Sequence, residues 1–210
     1  MPPSSDDLLL FGARTHTRRI EVDDLDRPTG SRIGGAPPAS LPASRCPRCS
    51  NPMRYVATLE HDTLGVALAS GRALSLLACS GPCVLRGLGP GGGFAVVVHP
   101  PSARGSTAPT QWAPVGRGLA ASAVLPDAGS DPGGAGPFRG AKIGGRPWFV
   151  DEPIEVDDDA AFLVQLPDDV GPSATGGIYL LGGTGTIFVY GRTGPDGISL
   201  DGASVEVELG

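Results

Sequence analysis

Four cysteines are the residues in this 210-residue chain whose type and spacing point most directly to chemistry: Cys46 and Cys49 in "RCPRCSNPM", Cys79 and Cys83 in "LLACSGPC". A Cys-x-x-Cys turn aims two sulfurs at one centre, and a second pair completes a tetrahedron. Zinc favours four thiolates at ~2.3 Å in a closed, structural site. The second pair is spaced Cys-x3-Cys, within the range such knuckles use. The site is expected to clip the loop at Cys46 to the strand ending at Cys79. A redox Cys-x-x-Cys needs a thioredoxin-like βαβ setting, which the pattern lacks. Disulfides need an oxidising compartment, and a catalytic zinc needs an open coordination position.

Other chemistry is thinly represented. His61 reads as an exposed residue at a strand end. "GGTGTIF" (182–188) lacks the Lys-Ser/Thr of a phosphate loop and reads as a tight turn entering a strand. Asp157–Asp159 and Asp168–Asp169 flank "FLVQL" without the spacing of a calcium loop. They read as solvated turns. No Gly-x-Ser-x-Gly elbow or His-Glu-x-x-His motif is present, so the expectation is a non-enzymatic protein.

The elements that must position the cysteines are β-strands. The chain contains 33 Gly and 22 Pro, about a quarter of its length, with hydrophobic residues at 40%. Short apolar runs bounded by these turn formers read as strands near Arg54–Glu60, Ala73–Cys79, Phe94–His99, Phe162–Leu166, Gly177–Leu181, Thr186–Tyr190 and Ser204–Leu209. "SVEVEL" alternates like a half-exposed strand, whereas "FAVVV" and "IFVY" read as buried on both faces. "DDLLLFGARTHTRR" reads as a short helix within an N-terminal extension, residues 1–30. Residues 100–140, rich in Pro, Gly, Ala and Ser, read as a linker that carries Trp112.

Two related segments, 31–99 and 141–210, flank that linker. "SRIGGAPP" parallels "AKIGGRPW", and Tyr55, Val56 and Leu59 align with Phe162, Leu163 and Leu166. "LLACSGPC" falls over "VYGRTGPD". The offsets of about 110 residues vary only by loop-sized amounts, the mark of an internal duplication. In this register Cys46, Cys49, Cys79 and Cys83 lie opposite Pro153, Val156, Arg192 and Asp196. The cysteines are thus absent together from the second copy, as residues sharing one task would be. The expected fold class is mainly β (β-rich α+β): two antiparallel repeats, the first with a zinc knuckle.

Charge narrows the partners. Residues 1–104 carry a net +3 and residues 105–210 a net −9. The acidic half repels phosphate backbones and suits a basic protein or peptide better than nucleic acid. No run reaches the ~20 apolar residues needed to span a bilayer. The N-terminus places acids before its apolar run and bases after it, unlike a secretory signal, so a cytoplasmic location is expected.

The combination Ile33-Gly-Gly-x-Pro, Cys46-Pro-x-Cys49, Met53, Tyr55–Leu59 and Leu74–Cys83 resembles the YwqG-like proteins and the related programmed cell death protein 2 group. The second half resembles the zinc-free form of the pattern: Ile143-Gly-Gly-x-Pro, then Phe162–Leu166, then "GGTGTIFVY". Thr58 stands where the pattern has Gln, which the second half keeps as Gln165. The resemblance implies a duplicated β-rich fold with a zinc knuckle in one copy, and binding work instead of catalysis. Eukaryotic relatives are escorts of a nascent ribosomal protein; bacterial ones are associated with toxin immunity. The implied role is therefore a chaperone-like escort or, alternatively, an immunity protein, with an uncharacterised enzyme as the third reading.

Overall fold

The computed structural model describes residues 18–23, 30–64, 71–81, 83, 93–103, 105, 117–124, 140–145, 147–149, 153–167, 169–170, 178–179, 185–194 and 197–208. Strands dominate: β1 (Arg18–Asp23), β2 (Arg32–Ile33), β3 (Met53–Glu60), β4 (Ala73–Cys79), β5 (Phe94–His99) and β6 (Arg117–Val124) come first. Then follow β7 (Lys142–Ile143), β8 (Ala160–Pro167), β9 (Asp169–Val170), β10 (Ile178–Tyr179), β11 (Thr186–Gly194) and β12 (Gly197–Glu208). One helical turn, α1 (His61–Leu64), follows β3 and contains His61. The mainly-β expectation holds, with antiparallel pairing throughout the described strands.

Ten strands form one sheet in the order β12-β11-β8-β7-β1-β6-β2-β3-β4-β5, and β9 and β10 pair separately. The order reads alike outward from the central β1–β6 pair. One arm runs β6-β2-β3-β4-β5 and the other β1-β7-β8-β11-β12. The two arms exchange their innermost strands: β1 precedes β2 in the chain yet pairs with β7, while β6 precedes β7 yet pairs with β2.

The register repeats in detail. Arg32 faces Thr58 and Ile33 faces Ala57; Lys142 faces Gln165 and Ile143 faces Val164. Gly34 N donates to Val56 O and Gly144 N to Leu163 O, each at 2.8 Å. Both strand pairs are irregular at the same point, between Tyr55 and Ala57 in one and opposite Phe162–Val164 in the other. Gly34, Gly35, Gly144 and Gly145 hold φ between +65° and +80°, a region costly for any residue with a Cβ. This explains the paired glycines after each short strand.

One face of the sheet makes a common core. Ile33, Ala57, Leu59, Leu74 and Leu76 from the first arm join Ile143, Val164, Leu166, Ile187, Val189 and Val207 from the second. The sheet curls enough to bring β5 and β12 into contact, which lets the two arms share that core. On the opposite face Ala160, Phe162, Phe188 and Tyr190 form a separate aromatic cluster.

Several expectations need correction. Residues 117–124, read as part of a linker, supply β6 at the centre of the sheet. Their small side chains carry no strand signature, but a central strand is held by backbone pairing to both neighbours, here β1 and β2. Residues 18–23, read as part of an extension, form β1. Of the helix expected over residues 6–19, the last two, Arg18 and Arg19, are in β1; the rest of it and Trp112 lie outside the described residues. Ala95–Val98 are only half-buried because β5 ends the sheet. Glu206 and Glu208 are buried where alternation made them exposed, because the outer face of β12 is also covered. No helix among the described residues is long and apolar enough to cross a membrane.

Candidate metal centre

Cys79 is the last residue of β4, opposite Met53 at the start of β3. The chain before Met53 folds back as the knuckle, where Ser50 N donates to Cys46 O (2.9 Å) and Cys46 N to Asn51 O (2.8 Å). Ser50 takes φ +59°, a left-handed conformation that costs a non-glycine residue about 1–2 kcal/mol. The turn tolerates that strain because both its ends are bonded. Ser80 N donates to Pro52 O (3.1 Å), tying the knuckle to the chain leaving β4. Gly81 N donates to the Cys79 sulfur (3.2 Å), and a Cβ at Gly81 would collide with the Asn51 side chain.

These constraints bring all four sequence-identified cysteines together. Their sulfurs lie within 4.8 Å of one another, and Cys49 Sγ is 3.4 Å from Cys79 Sγ. A tetrahedron of sulfurs at ~2.3 Å from its centre has edges of about 3.8 Å, so the cluster has the dimensions of a four-thiolate ion site. None of the four is in a disulfide. Cys46, Cys79 and Cys83 are buried with Met53 against them, and Cys49 is exposed.

The electrostatics fit deprotonated ligands on one side of the cluster. Burial pushes Cys46 up, but hydrogen bonds from the backbone N–H groups of Arg48 and Cys49 and from the Cys79 and Cys49 side chains together bring that thiol down to about 7. Hydrogen bonding to Cys49, then burial, pushes Cys83 up to about 12; burial raises Cys79. Crowded thiols resist losing every proton unless a cation compensates them, which a divalent ion would do.

The second arm carries a different fastening at the corresponding place. Arg192 faces Ala160 in the register where Cys79 faces Met53. Its guanidinium donates to Asp159 (2.8 Å) and Asp157 (3.1 Å). Thr193 N bonds Asp159 O at 2.7 Å, as Ser80 N bonds Pro52 O. Asp157 and Asp159 therefore hold a loop to a strand end by an ion pair.

Sequence reasoning missed a buried polar chain on the first arm. His99, 3% exposed, sets Nδ1 against the Pro100 carbonyl (2.8 Å) and the Ser40 hydroxyl (2.9 Å). A carbonyl only accepts, so Nδ1 carries the proton and Nε2 accepts from Ser75 (2.7 Å), which bonds Thr58 (2.8 Å). Burial, together with nearby Arg32 and Arg72, holds His99 below its ordinary pKa. Ser75 is fully buried, so the group fastens the Pro37–Ser44 strap to β5 instead of reacting with solute. In the second arm Gln165 does similar work: its Oε1 accepts from Trp148 N (2.8 Å) and its Nε2 donates to Gly140 O (3.1 Å).

No family model matches the chain, and no match to it was found among curated proteins.

Proposed function

We propose that this protein is a non-enzymatic protein-interaction module, internally duplicated, whose first arm is stapled by structural zinc. The observation that carries the reading is the gathering of Cys46, Cys49, Cys79 and Cys83 within 4.8 Å at one end of the β3–β4 pair. Four protein sulfurs would fill every position of a tetrahedral ion and leave none for a substrate or water. The ion's contribution would be to hold the knuckle on the strand end. The coincident register of the two arms supports the duplication. The resemblance to escort proteins and the opposite charges of the two halves support a polypeptide partner. The net −9 of residues 105–210 favours a basic surface on that partner where it meets the second arm.

Metal analysis of the purified protein tests the staple. One zinc per chain is expected, released by a strong chelator with a large fall in melting temperature. Cys46→Ser is expected to lose the metal and melt at the temperature of the chelated protein. A metal-free protein with four titratable thiols and an unchanged melting temperature would overturn the reading.

A further inference from the structure

The outer faces of the two arms are alike in register but not in filling. In the second arm Phe162 and Tyr190 meet edge to face at 5.9 Å, and Phe149 packs on Phe188 with ring centres 4.9 Å apart. In the first arm the corresponding strand positions are Tyr55, Leu77 and Ser75. Counted from Ile33 and Ile143, the place of Phe149 falls to Ala39. Three rings of the second arm, Phe149, Phe188 and Tyr190, thus have no aromatic counterpart in the first. What remains is a cavity of about 330 Å³ between the strap and the sheet, walled by Pro38, Leu41, Met53, Tyr55, Leu77 and Gly105.

The walls are well supported. Tyr55 and Leu77 form a buried floor. The strap is pinned by Gly105 N to Pro37 O (2.7 Å), Ala39 N to Ala103 O (3.0 Å) and Ser40 to Ser102. Walls that are more apolar than polar, on a fixed frame, suit a flat hydrophobic anchor, as interface hot spots do. The segment that carries the strap and the cysteine turn is basic. Residues 31–59 contain four arginines and no acid, and exposed Arg45 and Arg48 follow the wall residue Ser44.

We propose that this cavity receives an aromatic side chain from a partner polypeptide, flanked there by carboxylates. The inference rests on the interaction role proposed above and names the site and the chemistry of the segment it takes. The ring would supply what Phe149 supplies in the second arm, and the carboxylates would meet Arg45 and Arg48.

The test uses the full-length, metal-loaded protein and the blocked tripeptide acetyl-Glu-Phe-Glu-amide, followed by amide shifts of Tyr55, Leu77 and Gly105 in NMR. Saturable shifts at those amides are expected with a Kd near the millimolar range, as befits a single anchor. Acetyl-Glu-Ala-Glu-amide should bind at least tenfold more weakly, and acetyl-Lys-Phe-Lys-amide several-fold more weakly. Ala39→Phe, which installs the second arm's own residue, should abolish the shifts while leaving the melting temperature equal or higher. Leu77→Tyr, copying Tyr190, serves if Ala39→Phe does not fold. Absent shifts, equal shifts from the alanine peptide, or undiminished binding by a folded filled variant would overturn the proposal. A protein that keeps its metal and engages a partner elsewhere, yet ignores the peptide, fails this proposal alone.

Discussion

Lys142 and Arg32 occupy matching positions in the two arms and are both fully buried. The Nε and Nη2 of Arg32 meet no hydrogen-bond partner among the described residues, while its Nη1 donates to Gly30 O (3.1 Å). Burial brings Lys142 down to about 7 from 10.5. Between those values the unfolded chain binds a proton that the folded one does not, so stability rises with pH across the window and is lowest for this group below 7. Lys142→Met should therefore stabilise the protein by several degrees at pH 7 and have little effect near pH 10. Urea midpoints of both proteins at the two values check this; a difference that is constant with pH would contradict it. Neither buried cation was legible in the sequence, because a basic residue beside Ile-Gly-Gly carries no sign of enclosure. The cysteines were legible because their type and spacing are informative without knowledge of the fold.

Both arms face the same mechanical problem, a loop that must be held against the end of a hairpin. One solves it with sulfurs, the other with Arg192 between Asp157 and Asp159. The ion pair is about half exposed, and solvent-screened pairs contribute only ~0.2–1 kcal/mol. A metal held by the four sulfurs would fasten the first arm's loop far more strongly. Arg192→Ala should cost at most about 1 kcal/mol in a urea titration, much less than Cys46→Ser. Equal losses would mean that the sulfur cluster works without an ion. Strands with a strong apolar pattern were readable in place, β3 and β4 nearly in extent, whereas β8 and β11 run beyond the apolar runs Phe162–Leu166 and Thr186–Tyr190 that marked them. β6 was not, since Gly118, Ala120 and Ala121 look like linker residues and only their pairing with β1 makes a strand of them. The two-residue strands β2 and β7 are too short for any period to show.

At the scale of the molecule, the sequence revealed two similar segments but not their interlocking, because hydrophobic period says which face is buried and not which strand is the neighbour. With β1 paired to the second arm, β6 to the first and one core shared, neither arm has its full complement of strands alone. Calorimetry of the whole chain should show a single endotherm with equal van't Hoff and calorimetric enthalpies. Two separated endotherms would show that the arms melt independently.

That exchange of inner strands also sets an order of events during synthesis. When the ribosome has made the chain as far as residue 100, β2 still lacks β6 along one side and β1 still lacks β7. The nascent chain must wait, with unsatisfied backbone edges, until residues beyond 142 emerge. Completion of the sheet thus waits on residues beyond 142, and the arm holding the cysteines is closed by a strand made after its own hairpin.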